Sequence, residues 1–209
     1  PLYNEVTCLE IGVPKASRFA FVPTVKKDPI VLYGTSIAQG ACASRPGMAW
    51  ANIVGRQIEC PFINLGFSGN GKLESEIIDL ICEQRPSIVL LDCMPNMGAI
   101  EIIRRMKEAV RRISKIPGVV ILLVEHAGNS NALTYEAQGR ESARCNAAQQ
   151  IAYAQLQEEG VKNLFYLSRE ELSLAPDAWV DYVHPSDYGM AQYASAIVKK
   201  LQEIIVHAQ

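Results

Sequence analysis

From residue 29 onward the chain repeats one pattern: a short, continuous apolar run followed by a longer amphipathic stretch. The runs are IVLYG at 30–34, PFINL at 61–65, SIVLLD at 87–92, GVVILLVE at 118–125 and NLFYL at 163–167. Amphipathic stretches cover about 47–59, 72–84, 98–115 and 136–159, and a last one runs from about 188 to 207. A strand that is apolar at consecutive positions buries both of its faces, and a parallel sheet between two helix layers is the arrangement that buries them. Repeated β-α alternation with right-handed crossovers therefore predicts an α/β fold, a three-layer α/β/α doubly wound parallel sheet.

The first 28 residues follow a different rule. VTCLEIGV roughly alternates apolar with polar, and RFAFVP follows after a Pro-Lys turn, which predicts two short antiparallel strands. Two strands cannot form a core alone. The expected division is an extended β segment over 1–28, the remnant of a β-rich domain or an edge added to the main sheet, and one main domain over 29–209. Because the chain starts Pro1-Leu2-Tyr3, with no initiator Met, it is expected to be a piece of a longer protein.

Composition narrows the partners. Hydrophobic residues at 49% and charged residues at 20% are ordinary for a packed domain. A net charge of -2 supplies no bulk attraction to nucleic acid or anionic lipid, so neither is an expected partner. The six cysteines are scattered without C-x-x-C pairs or zinc spacing, so no metal is expected; most are read as small buried hydrophobes. Oligomeric state is not legible.

In open parallel sheets ligands bind beyond the carboxyl ends of the strands, so chemistry is sought in the loops that follow them. Ser36 comes directly after the first run, where a hydroxyl can face the cleft. A serine becomes a nucleophile only when a base takes its proton, within about 3 Å. The chain has three histidines. His207 sits near the chain end and is expected to be solvated, and His126 is expected to be structural or to face substrate. His184 lies in DYVHPSDYG with Asp181 three residues before it, close enough for the carboxylate to hold the ring. A helix N-cap cluster is the alternative reading of the same residues. Gly69 in NLGFSGNG can bring a backbone N–H close to a ligand, and Asn96 in DCMPNM can offer a side-chain amide; a simple turn and a helix N-cap are their alternatives.

Four loops thus supply Ser, Gly, Asn and His in chain order, and here the sequence resembles the SGNH hydrolases, the GDSL-like esterase and acylhydrolase superfamily. YGTSIAQG is similar to the first block, NLGFSGNG to the second, LLDCMPNM to the third and DYVHP to the last. The resemblance covers about residues 29–207 and implies a flavodoxin-like SGNH hydrolase fold. It implies Ser36 as nucleophile, His184 as base, Asp181 as its partner, and an oxyanion hole from the N–H groups of Ser36 and Gly69 and the amide of Asn96. No cofactor is implied. The GDSL tetrad itself reads Gly34-Thr35-Ser36-Ile37, and Pro95 and Met97 replace the Gly and Asp that flank the block-three Asn. GTSIAQGACASRPGMAW further resembles an acetylhydrolase-like branch, often bacterial and exported, with an N-terminal β-sandwich; a periplasmic or secreted full-length protein is the matching expectation.

The resulting expectation is a serine esterase for short, acetyl-type esters, since no segment forms a long apolar lid; the family resemblance alone implies a carbohydrate as the preferred acceptor. Arg45, Trp50, Asn70, Trp179 and Tyr182 are candidates for lining the approach, with packing as the alternative for each. Two rival functions share the fold: a flavodoxin-like protein binding flavin mononucleotide through the hydroxyl-rich LYGTSIAQG loop, and a non-catalytic glycan-binding module. Other motifs fail by inspection. Gly34 and Gly40 lack P-loop spacing and a following Lys, and Asn70 stands where a nucleophile elbow around Ser68 needs Gly. Cys93 is expected to be structural. Asp92 and Glu125 are read as strand-end groups in preference to a glycosidase carboxylate pair.

Overall fold

A computed structural model of the protein describes residues 2–23 and 28–207, the side chain of His207 excepted; the expected solvation of His207 therefore lies outside the described residues. Five parallel strands, β1 (Ile30–Gly34), β2 (Phe62–Gly66), β3 (Ile88–Asp92), β4 (Val120–Val124) and β5 (Leu164–Leu167), form one sheet in the order β2-β1-β3-β4-β5. The three inner strands β1, β3 and β4 are buried at every residue. Edge strands β2 and β5 are buried only in part, because each has a neighbour on one side alone.

Alternate side chains of each inner strand face opposite layers. Val31, Tyr33, Val89, Leu91, Ile121 and Leu123 pack under α3 (Ser75–Glu83), α4 (Ala99–Ile113) and α5 (Glu136–Glu158). Ile30, Leu32, Ile88, Leu90, Val120 and Leu122 pack under α2 (Trp50–Ile58) and α7 (Asp187–His207). Spacing selects the faces. In α4 the buried residues Ile102, Met106, Ala109, Val110 and Ile113 recur at helical intervals, and each large one contributes about 1.5–3 kcal/mol by leaving water.

Strand order fixes where a site can form. β1 pairs with β2 on one side and β3 on the other, so the chain turns in opposite directions from β1, and the crevice opens beyond the ends of β1 and β3. Short helices occupy these loops: α1 (Ser36–Gln39) after β1 and α6 (Arg169–Leu172) after β5.

Three expectations are corrected. Most cysteines are not buried: Cys93 and Cys145 are interior, whereas Cys60 and Cys82 are half-buried and Cys8 and Cys42 lie exposed on loops. Residues 2–23 form no strand; apart from half-buried Leu2 they are exposed, including Leu9, Phe21 and Val22. Their alternating pattern has no partner strand among the described residues, and a lone hairpin cannot bury enough surface to hold itself. Trp50 does not line any approach. It is fully buried and stacks on Tyr193 of α7, ring centroids 5.0 Å apart.

Tyr193 also donates a hydrogen bond to Asp92, at the end of β3, over 3.0 Å. Burial pushes the Asp92 carboxyl up to about 8, against the Tyr193 bond, which acts to lower it. The folded state thus keeps a proton on Asp92 that the unfolded chain releases above about pH 4, and this site costs stability progressively as pH rises from about 4 to about 8. His126 acts oppositely. Burial, then the charge of Arg169, pushes it down to about 4, so its contribution rises with pH until about 6.5. Above that value the Asp92 effect dominates until pH approaches the ordinary thiol value of about 8.5, where Cys42, Cys82, Cys93 and Cys145, all raised by burial, add to it. We predict that wild-type stability, measured by urea unfolding, falls between about pH 6.5 and 7.5 by up to about 1.4 kcal/mol per pH unit, and that Asp92→Asn is nearly flat there. Parallel pH profiles for the two proteins would contradict a neutral buried acid.

Candidate active site

The first loop is built by a one-turn helix. Thr35 is buried and its hydroxyl accepts from the Ile37 N–H at 3.4 Å, while Gly40, at φ +100°, closes the turn. This leaves Ser36 at the first helical position, where no intrahelical acceptor exists for its N–H, and no described residue accepts from that group.

The opposite arm comes from the loop between α6 and α7. Asp181 folds it: one carboxylate oxygen accepts from the N–H groups of Val183 (2.8 Å) and His184 (2.7 Å), and the other lies 2.7 Å from His184 Nδ1. Burial acts to raise the Asp181 carboxyl, but the His184 N–H, its ring and the Val183 N–H together hold it below the usual carboxylate range. An ionised carboxylate can only accept, so Nδ1 carries the ring proton and Nε2 presents its lone pair. That Nε2 lies 2.9 Å from Ser36 Oγ, across 148 residues of chain. The loop is tied down by Val180 N–H to His184 O (2.9 Å), Ser130 N–H to Tyr182 O (3.0 Å) and Ser130 Oγ to Asp181 O (3.1 Å). Asp181 and His184 are not a helix cap, since α7 starts at Asp187.

The second and third loops converge on the same place. Phe67 N–H bonds Gly34 O at 3.0 Å, which anchors the loop of Gly69 on the end of β1. Gly69 adopts φ +72° and its N–H has no acceptor among the described residues. The space around it is open, so the glycine is there for the left-handed backbone and not for close approach. Asn96 donates its side-chain amide to Asn70 O at 2.6 Å, joining the loop after β3 to the loop after β2. It does not cap α4, whose N-cap is Gly98. One N–H of the Asn96 amide remains for another acceptor.

Among the proposed approach residues, Arg45, Asn70 and Tyr182 are exposed, Trp179 is half-buried and pairs with Pro185, and Trp50 is interior. Asn70 joins Tyr33, Phe67, Gly71, Glu74 and Ile77 around a cleft of about 330 Å³. The discarded candidates have structural partners. Cys93 is buried and donates to Tyr33 O at 3.3 Å. Glu125 accepts from Tyr166, Gln150 and the Arg169 N–H. His126, neutral and buried, accepts from the Gly128 N–H at 2.9 Å through Nδ1.

Sequence reasoning missed the supports of these loops. Gln39 Oε1 accepts from the Ser68 N–H at 2.8 Å, beside Gly69. Asn64 reaches across to Ala38 O at 2.8 Å and accepts from the Gly66 N–H at 2.9 Å; its signal was a lone amide inside the apolar run PFINL. Gly71 was not singled out at all. It has φ +70°, and a Cβ there would overlap the carbonyl of Gly34 and lie 2.6 Å from its carbon.

Comparison with known proteins identifies the family. The model of the GDSL-like lipase/acylhydrolase family matches residues 27–202. The chain belongs to that family. Among solved structures it resembles a protein assigned as a GDSL-like lipase from Bacteroides ovatus, with 31% identity and a TM-score of 0.81 over 86% of this chain and 54% of that one. It shares its fold with a salicylyl-acyltransferase from a tetracycline biosynthetic pathway, at 18% identity and a TM-score of 0.74 over 88% of this chain and 56% of that one. A two-domain esterase active on acetylated mannans matches at 20% identity and a TM-score of 0.59, over 84% of this chain and 48% of that one. The GDSL-like chain thus spans about half the length of each. No curated protein matches it.

Adding a methyl group at the two glycines separates backbone strain from contact. Gly69→Ala is expected to lose about 1–2 kcal/mol from its left-handed conformation alone. Gly71→Ala adds overpacking against Gly34, about 1–3 kcal/mol more. Urea unfolding of both variants checks the order, and equal losses would contradict the close packing of these loops.

Proposed function

We propose that the protein is a serine esterase acting on short acyl esters through an acyl-enzyme on Ser36. The observation that carries the reading is the continuous hydrogen-bond path from Ser36 Oγ through His184 to Asp181. In this scheme Ser36 Oγ attacks the ester carbonyl as Nε2 takes its proton. The imidazolium, held by the ionised Asp181, then returns that proton to the departing alcohol. Water repeats the sequence and releases the acid.

The tetrahedral intermediate carries its charge on the former carbonyl oxygen. The unpartnered N–H groups of Ser36 and Gly69 and the second N–H of Asn96 are its stabilising donors. Each donor of this kind typically contributes on the order of 10²- to 10³-fold in rate.

An acetyl group on a sugar is our preferred substrate. Arg45, Asn70 and Tyr182 give an open, mostly polar rim, with 61% of Tyr182 exposed as a platform for a sugar face. The activity of one fold neighbour on acetylated mannans points the same way. Family membership favours this reading over the flavin-binding alternative, and the intact Ser36–His184 contact favours it over a non-catalytic glycan-binding module.

Hydrolysis of a chromogenic acetyl ester tests the scheme. Wild type is expected to turn it over, and Ser36→Ala to lose about 10³-fold or more in kcat. Asp181→Asn, which removes the charge holding the ring, is expected to fall by about 10²- to 10⁴-fold. Unchanged turnover in Ser36→Ala would rule out the nucleophile.

A further inference from the structure

Cys42 takes no part in the scheme above, yet it stands beside the residues that run it. One ligand atom each from Cys42, Asp181 and His184 lies within 4.8 Å of the other two. Cys42 has φ +66°, a left-handed conformation that few non-glycine residues adopt. The surrounding loop is fixed on both sides: Ala43 N–H bonds Gly40 O at 3.2 Å, and Ser44 N–H bonds the Asp187 carboxylate at 2.8 Å, at the head of α7. The thiol is therefore held beside the dyad by its own backbone. Access is open, since Cys42 is exposed and the Asp181 and His184 side chains are 47% and 26% exposed.

Thiolate, imidazole and carboxylate are three common ligands of zinc, which takes four in a tetrahedron and accepts water as the last. Bond lengths of about 2.0–2.3 Å put tetrahedral ligand atoms roughly 3.3–3.8 Å apart, so separations as wide as the 4.8 Å bound would close by roughly 1 Å, and the 2.7 Å contact of Asp181 with His184 Nδ1 would open if that nitrogen binds, both within reach of side-chain rotation on an exposed loop. We propose that Cys42, Asp181 and His184 form a binding site for a thiophilic divalent cation such as zinc, and that its occupancy reversibly blocks ester hydrolysis. Coordination releases the thiol proton to solvent as the sulfur takes the metal. A neutral imidazole has one lone pair. A cation on Nε2 removes the acceptor for the Ser36 proton; a cation on Nδ1 displaces the ring proton and breaks the bond to Asp181. Either outcome stops the proton cycle. Sequence spacing cannot reveal such a site, because Cys42 and the other two ligands lie far apart in the sequence and are brought together only by the fold.

The binding half of the proposal stands without the esterase reading, and only the inhibitory half rests on it. Ser36→Ala keeps all three ligands and cannot form an acyl-enzyme, so it is the protein to titrate with zinc chloride by calorimetry. One equivalent is expected to bind, and Ser36→Ala/Cys42→Ala is expected to lose at least about tenfold in affinity. With wild type, zinc is expected to inhibit acetyl-ester hydrolysis and EDTA to restore it. Cys42→Ala, or Cys42→Ser should the first variant fold poorly, is expected to keep its metal-free rate and to need at least about tenfold more zinc for inhibition. Equal zinc affinity with and without Cys42, or full turnover in zinc-saturated wild type, overturns the proposal. Cys42-dependent binding by a protein with no ester turnover supports the metal site and overturns the esterase reading instead.

Discussion

The site depends on one contact, the 2.9 Å approach of Ser36 Oγ to His184 Nε2. Neither residue could hold it alone. Ser36 is fixed by a one-turn helix on the end of a fully buried strand, and His184 by a loop folded around a single carboxylate. Asp181 spends one oxygen on two backbone N–H groups and the other on the ring. The group that shapes the loop is thus also the one that sets the tautomer. Removing its charge would change both geometry and chemistry.

Beneath the cleft, the strand ends carry polar groups that the core has to accommodate. Glu125 does so with three donors around it. Asp92 has one, from Tyr193, and its second oxygen is buried without a described partner, which is why burial dominates its protonation. The aromatic pair Trp50–Tyr193 couples this acid to packing between α2 and α7. Buried polarity of this kind lowers stability while positioning the strand ends that bear the loops.

Much of this was legible in the residues, for identifiable reasons. Continuous apolar runs such as SIVLLD and GVVILLVE have few places to go other than an inner parallel strand, and the helix and strand ranges followed from them to within a few residues. Ser36, Asp181 and His184 could be singled out because three histidines permit elimination and an i, i+3 pair fits one turn. Trp50 was misplaced because an aromatic just past a loop looks the same in sequence whether it faces solvent or stacks on a helix some 140 residues later. Residues 2–23 have a strand-like pattern, but the runs VTCLEIGV and RFAFVP do not pair, because a two-stranded ribbon with no core beneath it gains too little burial to hold together. Gly71 was invisible for a related reason: its constraint is the carbonyl of Gly34, a neighbour that only the closed sheet supplies. Cys42 is the same case, with ligand partners assembled by topology and not by spacing.

The proposed nucleophile is the Ser36 hydroxyl, activated by the His184 imidazole. A fluorophosphonate probe forms a stable covalent bond with such an oxygen, and mass mapping of the labelled peptides locates it. The predicted result is a single adduct on Ser36 in wild type, slowed at least about 10²-fold in His184→Ala. An adduct on Ser68 or another residue, or labelling of Ser36 at an undiminished rate without His184, would exclude this pair as nucleophile and base.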